Sequence, residues 1–466
     1  MKSLILLLVF AVLSCGRPGD RFDSSTYRLP WPLATGELAL QDVEIRTLRD
    51  PRAFSGDVAR VLVEPGDGGK SLAGSEPQGH YARSKSGVLI PADYITMQAV
   101  TAYAHVERLR DLDASVGAES VLSWPLSLGV EVRVNSYGQQ ATNNAIYDAK
   151  LDSLLLVPYD AGGVPISMNP GVLAHEHFHF IFQRLVMSHV RDTATQTSCA
   201  GAVAAGSGRV AAVPTMAERS RNGEIAGGAS TASVDPVGKT AAAIPPRVYN
   251  SYILRGLNEG FADFYGWVYS NDNSFLAKSL PEQDDMRRLD ATSGRLPSES
   301  LLRRLLVDNF HPELILPEAV RAHNAYSLGS IYARYLRHLV DDLVASGRTA
   351  ADARLLVTRA VIEILPEVGQ QMESVYDRDF VSPNFAVTLL LAHLPPLTEA
   401  VCASLDDVHA PEADYAKPAP CEAYSPTVAS PSRGARSPVK PVPSATPAAV
   451  PTVSVSAPSP VKEKQK

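Results

Sequence analysis

The stretch VLAHEHFHFIFQRL, beginning at Val172, sets three imidazoles and a carboxylate inside an apolar run. On a helix, residues four apart share a face, so His175 and His179 can reach one ion. Glu176 stands beside the first of them and can face the same ion's surroundings. This is the H-E-x-x-H arrangement, in which two histidines bind Zn2+ and the glutamate takes a proton from a water whose pKa the metal has lowered. His177 is turned from its neighbours by about 200° and reads as a packing or solvent-facing residue. Two histidines on an ordinary helix are commoner than a zinc site, and a catalytic zinc also needs a third protein ligand and one open position.

The best source of that ligand is the stretch LNEGFADFYGW, where Glu259 and Asp263 lie four residues apart among Leu257, Phe261, Phe264 and Trp267. Two carboxylates on one apolar face are costly unless something cationic sits there. A metal ion and a metal-bound histidine would satisfy both.

H-E-x-x-H followed by Asn258-Glu259-Gly260-Phe261-Ala262-Asp263 resembles the gluzincin zinc metallopeptidases, which include thermolysin-like enzymes and zinc aminopeptidases. The resemblance implies a single catalytic zinc on His175, His179 and Glu259, with Glu176 as general base. It also implies that Asp263 hydrogen-bonds a ligating histidine, His175 for choice. NNAIYD is similar to the family's substrate-binding edge strand, which carries that role to Asn144 and Ala145. Tyr326 with Gly329 resembles the Tyr-x-x-Gly helix of the aminopeptidase branch, whose tyrosine donates to the oxyanion; His323 is the alternative donor. The implied fold is α+β, a zincin with an N-terminal twisted sheet, an active-site helix and a mostly helical C-terminal half. A Gly-x-Met-x-Asn exopeptidase motif is missing, so recognition of a free α-amine is not supported. Close relatives place the third ligand nearer the second histidine than this chain does.

These residues need elements to hold them. Short β-like runs (DVEIRTL, ARVLVEP) precede a helix over ADYITMQAVTAYAHVERLRDL, in which His105 reads as a surface or packing residue. Strand-like runs follow at SVLSWPLSL, VEVRVNSY and LDSLLLVPY. MNPG then starts the helix that carries His175. Residues of about 191–246 are small, polar and aperiodic, and read as a flexible insertion. Helical patterns resume at RVYNSYILRGLNEGFADFYGWVYS and continue through ESLLRRLLVD, AYSLGSIYARYLRHLVDDLVA, AADARLLVTRAVIEIL and NFAVTLLLAHL. The expected layout is an N-terminal region over 15–90, a zincin catalytic domain over 91–410, and a disordered Pro/Ser/Ala-rich tail over 424–466.

The N-terminus has Lys2, an apolar run from Leu4 to Leu13, then Ser14 and Cys15. The run is short for a transmembrane helix and reads as a secretory signal over 1–14. VLSC resembles the lipobox of bacterial lipoproteins, which implies cleavage before Cys15, lipid on its sulfur and a place in the cell envelope on a membrane. In an exported chain Cys402 and Cys421 are the plausible disulfide pair, with Cys199 left over. The formal charge of -7 gives no electrostatic footprint for nucleic acid. The tail is mildly basic, which leaves contact with an anionic envelope polymer open. The expected partner is a peptide or protein substrate. Two rivals stand beside the peptidase: a zincin-fold envelope protein that no longer cuts, and a metallohydrolase acting on a non-peptide envelope substrate.

Overall fold

The computed structural model describes residues 26–33, 35–64, 74–136, 139–190, 244–291, 294–309, 318–394, 401–402 and 421. Cys15, Cys199, the expected tail, most of the expected insertion and the side chain of His323 lie outside them. The chain divides into two units, Met1–Tyr424 and Ser425–Lys466, and the described residues all belong to the first.

The architecture is mixed α/β. Strands β1 (Thr26–Pro32), β2 (Leu38–Glu44), β3 (Leu48–Asp50), β4 (Ser55–Gly56), β5 (Ala59–Val63), β6 (Tyr81–Arg83) and β7 (Leu89–Pro91) precede helix α1 (Tyr94–Val116). Then come β8 (Leu126–Val130), the two-residue pair β9 (Asn135–Ser136) and β10 (Gln139–Gln140), β11 (Ala145–Asp148) and β12 (Ser153–Leu156). One sheet has the order β2-β1-β7-β6; the other has the order β11-β12-β8-β5-β4-β3. In the larger sheet β5, β8 and β12 are parallel, and β11 turns back antiparallel on the outside. The pattern of residues explains the order. Every residue of β12 is buried, and so are four of the five in β8, as strands covered on both faces require. In β11 burial alternates, which suits a half-covered edge. Because β5 pairs with β8, the region before residue 90 shares this sheet with the strands that follow α1.

Helix α1 starts where the Asp93 side chain accepts the Thr96 N–H and stops at Gly117, whose φ of 85° is the left-handed geometry that ends helices. It packs on β5 and β8 and touches α2 (Pro170–Phe182). Helix α2 is fixed by Asn169, whose side chain caps the N–H groups of Gly171 and Val172, and by Pro170 in its first turn. All its residues are buried, so it runs through the middle of the molecule alongside edge strand β11. A π turn over Gln183–Met187 follows it. The rest is helical: α3 (Pro246–Ser270), α4 (Asp284–Arg287), α5 (Glu299–Asn309), α6 (Glu318–Ala345), α7 (Ala350–Val375) and α8 (Phe385–His393). Among the described residues no helix is long and apolar enough to cross a membrane. Cys402 and Cys421 form a disulfide with a Cα–Cα distance of 5.3 Å.

One expected strand shrinks. VEVRVNSY alternates, yet among its described residues only Val130, which ends β8, and Asn135–Ser136 are strand. Glu131, at φ 59°, breaks the ladder at the end of β8, although the Val132 N–H still reaches the Leu156 carbonyl.

Helix α3 lies between α2 and α6, and glycines set both crossings. A Cβ on Gly266 would sit 2.7 Å from the Gly171 carbonyl oxygen, and one on Gly260 would sit 2.4 Å from that of Gly329. Gly260→Ala must therefore push α3 off α6 beside Glu259. The expected loss is about 1–3 kcal/mol, the scale of an overpacked contact, read by denaturant unfolding. Unchanged stability would show that the two helices need no glycine there.

His105 is packed, not exposed: its ring stacks on Trp31 at 4.3 Å and its Nδ1 meets the Tyr269 hydroxyl at 2.9 Å. Burial pushes its imidazole down to about 3. Below pH 6.5 the unfolded chain takes a proton there that the folded chain refuses, so stability falls with acid from about pH 6.5 toward 3. The slope is about 1.4 kcal/mol per pH unit. His105→Phe should flatten the acid limb of a stability-versus-pH curve by that slope; a curve parallel to wild type would exclude His105 as its source.

Candidate metal centre

Helices α2 and α3 bring the two quoted motifs face to face. His175 and His179 project from consecutive turns of α2, and their Nε2 atoms lie 3.1 Å apart. From α3, Glu259 Oε2 lies 3.4 Å from His175 Nε2. His175, Glu176 and His179 each offer an atom within 4.8 Å of the others. All four residues are buried.

The hydrogen bonds behind the imidazoles decide which nitrogens face inward. Asp263 Oδ1 lies 2.9 Å from His175 Nδ1, and Asn258 Oδ1 lies 2.9 Å from His179 Nδ1. Each Nδ1–H donates outward, which leaves the Nε2 lone pair of a neutral ring pointing at the other. Two lone pairs therefore face each other in a dry site, with a Glu259 oxygen beside His175. That donor set calls for a cation. Tetrahedral zinc with Zn–N bonds of about 2.0–2.1 Å would hold its ligand atoms about 3.4 Å apart, close to the separations found. The residues present fit such an ion.

Without an ion, protons take the place of that charge. Burial works to lower His175, but hydrogen bonds to Asp263 and Glu259 outweigh it and push the ring up to about 9. Burial, helped by the charge on His175, pushes His179 down to about 4. Burial pushes Glu176 up to about 8 despite His175 beside it. Burial opposes ionisation of Glu259 and Asp263 too, yet His175, His179 and Arg287 hold Glu259 below the usual carboxylate range, and Arg287 with His175 does the same for Asp263.

Arg287 was not foreseen. It lies on α4 and is buried. Its Nη2 donates to Asp263 Oδ1 at 2.6 Å, its Nε donates to Asp263 Oδ2 at 3.0 Å, and Nη2 also approaches Glu259 Oε2 at 3.4 Å. Nη1 is buried without a partner. The guanidinium rests on the Tyr326 ring, with Cζ 4.5 Å from its centre. In the sequence Arg287 belongs to the charged run QDDMRRLD, which carries no apolar periodicity to mark it as buried. Asn258 was quoted within its motif but given no task; its amide is the outer partner of His179.

The remaining candidates gather around this centre unevenly. Tyr326 is buried against Arg287, and burial together with the charge of Glu259 keeps its phenol protonated. Gly329, one turn on, is the contact point with α3. Glu176 Oε2 accepts the Tyr147 backbone N–H at 3.0 Å, while Oε1 is buried with no partner. Ala145 begins β11, and Asn144 just before it is buried with an unpartnered Oδ1. The Val157 N–H donates to the Asn144 carbonyl. By the alternation of an antiparallel ladder, Ala145 and Tyr147 then turn their backbone groups away from β12. His177 faces away from the other two histidines, as its position requires. The side chain of His323 lies outside the described residues.

No family model matches the chain, and no curated protein matches it.

Arg287 answers two buried carboxylates, so Arg287→Met should leave them uncompensated. The expected cost is roughly 3–5 kcal/mol, the scale for removing one partner of a buried ion pair, and denaturant unfolding of the metal-free protein measures it. A loss below about 1 kcal/mol, the scale of an exposed pair, would mean that Asp263 and Glu259 find their counter-charge elsewhere.

Proposed function

We propose that this protein is a zinc-dependent peptidase of the zincin type, built like a gluzincin, with His175, His179 and Glu259 holding the metal. The observation that carries the reading is the pair of imidazole Nε2 atoms 3.1 Å apart, with a Glu259 oxygen 3.4 Å from that of His175 and the unpartnered Glu176 oxygen in the same buried cluster. When bound, zinc lowers the pKa of water and polarises a carbonyl.

The chain's own residues do the rest. Asp263 and Asn258 fix the tautomers of the two histidines and aim their Nε2 atoms. Glu176 is held at one oxygen by the Tyr147 N–H, and its other oxygen takes a proton from the attacking water and passes it to the leaving amine. Tyr326, kept protonated, donates to the developing oxyanion; His323 is the alternative donor. The outer side of β11 at Ala145, with the Asn144 amide beside it, receives the substrate backbone as an added strand. Cys15 carries a lipid that ties the exported protein to a membrane of the cell envelope.

Glu176→Gln tests the chemistry. The variant should keep its zinc and lose hydrolysis of a peptide library by at least about 100-fold, the scale for loss of a general base. Zinc retained together with near-normal turnover would sink the mechanism. Turnover of peptidoglycan fragments but not of peptides would move the substrate class to a non-peptide polymer.

A further inference from the structure

Asp113, near the end of α1, is fully buried and takes no part in the site described above. Its two oxygens each accept one hydrogen bond. His177 Nε2 meets Oδ2 at 2.8 Å, and the Tyr265 hydroxyl donates to Oδ1 at 2.5 Å. His177 stands on α2 between His175 and His179, and Tyr265 stands on α3 two residues past Asp263. One carboxylate thus grips both helices that carry the candidate ligands, away from the metal-facing side of α2.

The grip is anchored and shielded. The Asp113 carbonyl accepts the N–H groups of Gly117 and Ala118, where α1 ends. The Trp124 ring stacks over His177 at 6.0 Å. A buried carboxylate must have its lone pairs met. Among the described residues, the donors to its side chain come from the two ligand-bearing helices.

We propose that Asp113 is a positioning residue: through His177 and Tyr265 it sets the separation of α2 and α3, and so the distance from the histidine pair to Glu259. The inference rests on the metal-centre reading. Metal–ligand distances fall within about 0.2 Å of their ideal values, so a slack clamp weakens metal binding before it unfolds the chain.

The test uses full-length protein carrying Tyr265→Phe, His177→Leu, His177→Gln or Asp113→Asn. Competition with a chromophoric chelator gives zinc affinity, and the visible spectrum of the cobalt(II) form reports ligand geometry. Both are read at a temperature where circular dichroism shows the metal-free variant folded. Tyr265→Phe and His177→Leu should bind zinc at least about tenfold more weakly, the lower end for loss of an outer-shell partner, with an altered cobalt spectrum. His177→Gln, whose amide N–H can reach the same oxygen, should recover most of the loss. If Asp113→Asn does not fold, the Tyr265 and His177 variants decide. Variants that only melt earlier, with wild-type zinc affinity and cobalt spectrum, overturn the inference and leave the metal centre standing. A wild-type chain that binds neither zinc nor cobalt overturns the metal-centre reading and this inference with it.

Discussion

The balance of charge at one buried point constrains the rest of the molecule. Glu176, Glu259 and Asp263 are three carboxylates with almost no access to water, and Arg287 is the guanidinium among them. With neutral histidines and all three acids ionised, two negative charges remain. A divalent cation cancels them. Without one, protons must: His175 is pushed up to about 9 and Glu176 to about 8. Burial of isolated ions is expensive enough that a group changes its protonation first. The raised values of these two residues are therefore the metal-free chain's answer to a shortage of positive charge. Metal binding would displace the His175 proton, because a ligating nitrogen must offer its lone pair.

The scaffold serves that balance by closeness. Ligand atoms within 3.4 Å on different helices demand that α2 and α3 nearly touch, and Gly266 removes the side chain that would press on the Gly171 carbonyl, while Gly171 makes room for Phe275. Gly260 and Gly329 do the same for α3 and α6, which brings Tyr326 over Arg287. The helices cannot be made to approach by apolar packing alone, since a methyl added at Gly260 or Gly266 would overlap a carbonyl oxygen. The larger sheet supplies the other wall. Its β11 edge gives the Tyr147 N–H to Glu176, so the same strand that offers backbone groups to an extended chain also orients the proposed base.

What was legible in the sequence was what is local. His175 and His179 share a face because they are one helical turn apart, and Glu259 and Asp263 share a face for the same reason; neither inference needs tertiary structure. The cap at Asn169 and the long helix from Pro246 follow from short-range signals too. Arg287 was not legible, because its burial depends on α4 packing against α6 and on its side chain reaching Asp263 on α3, and nothing in its own neighbourhood differs from a solvated charged run. Asp113 was hidden in the same way: it ends an amphipathic helix where an exposed acid is ordinary. Alternation misled at VEVRVNSY, because alternation reports a willingness to be strand while a partner decides it.

The tautomers tie these threads together. A histidine that donates from Nδ1 must offer Nε2 inward, and on α2 both ligand-bearing rings are set this way by partners on α3, Asp263 and Asn258. The two residues flank Glu259 in the same helix. One segment of α3 therefore supplies the third candidate ligand and also dictates how the first two present themselves. The two motifs are not independent halves that happen to meet. Shifting α3 along its axis by one residue would turn Glu259 away and break both tautomer-fixing contacts at once. Register between α2 and α3 is thus the geometric variable on which the chemistry depends, and the glycine crossings leave that register little freedom.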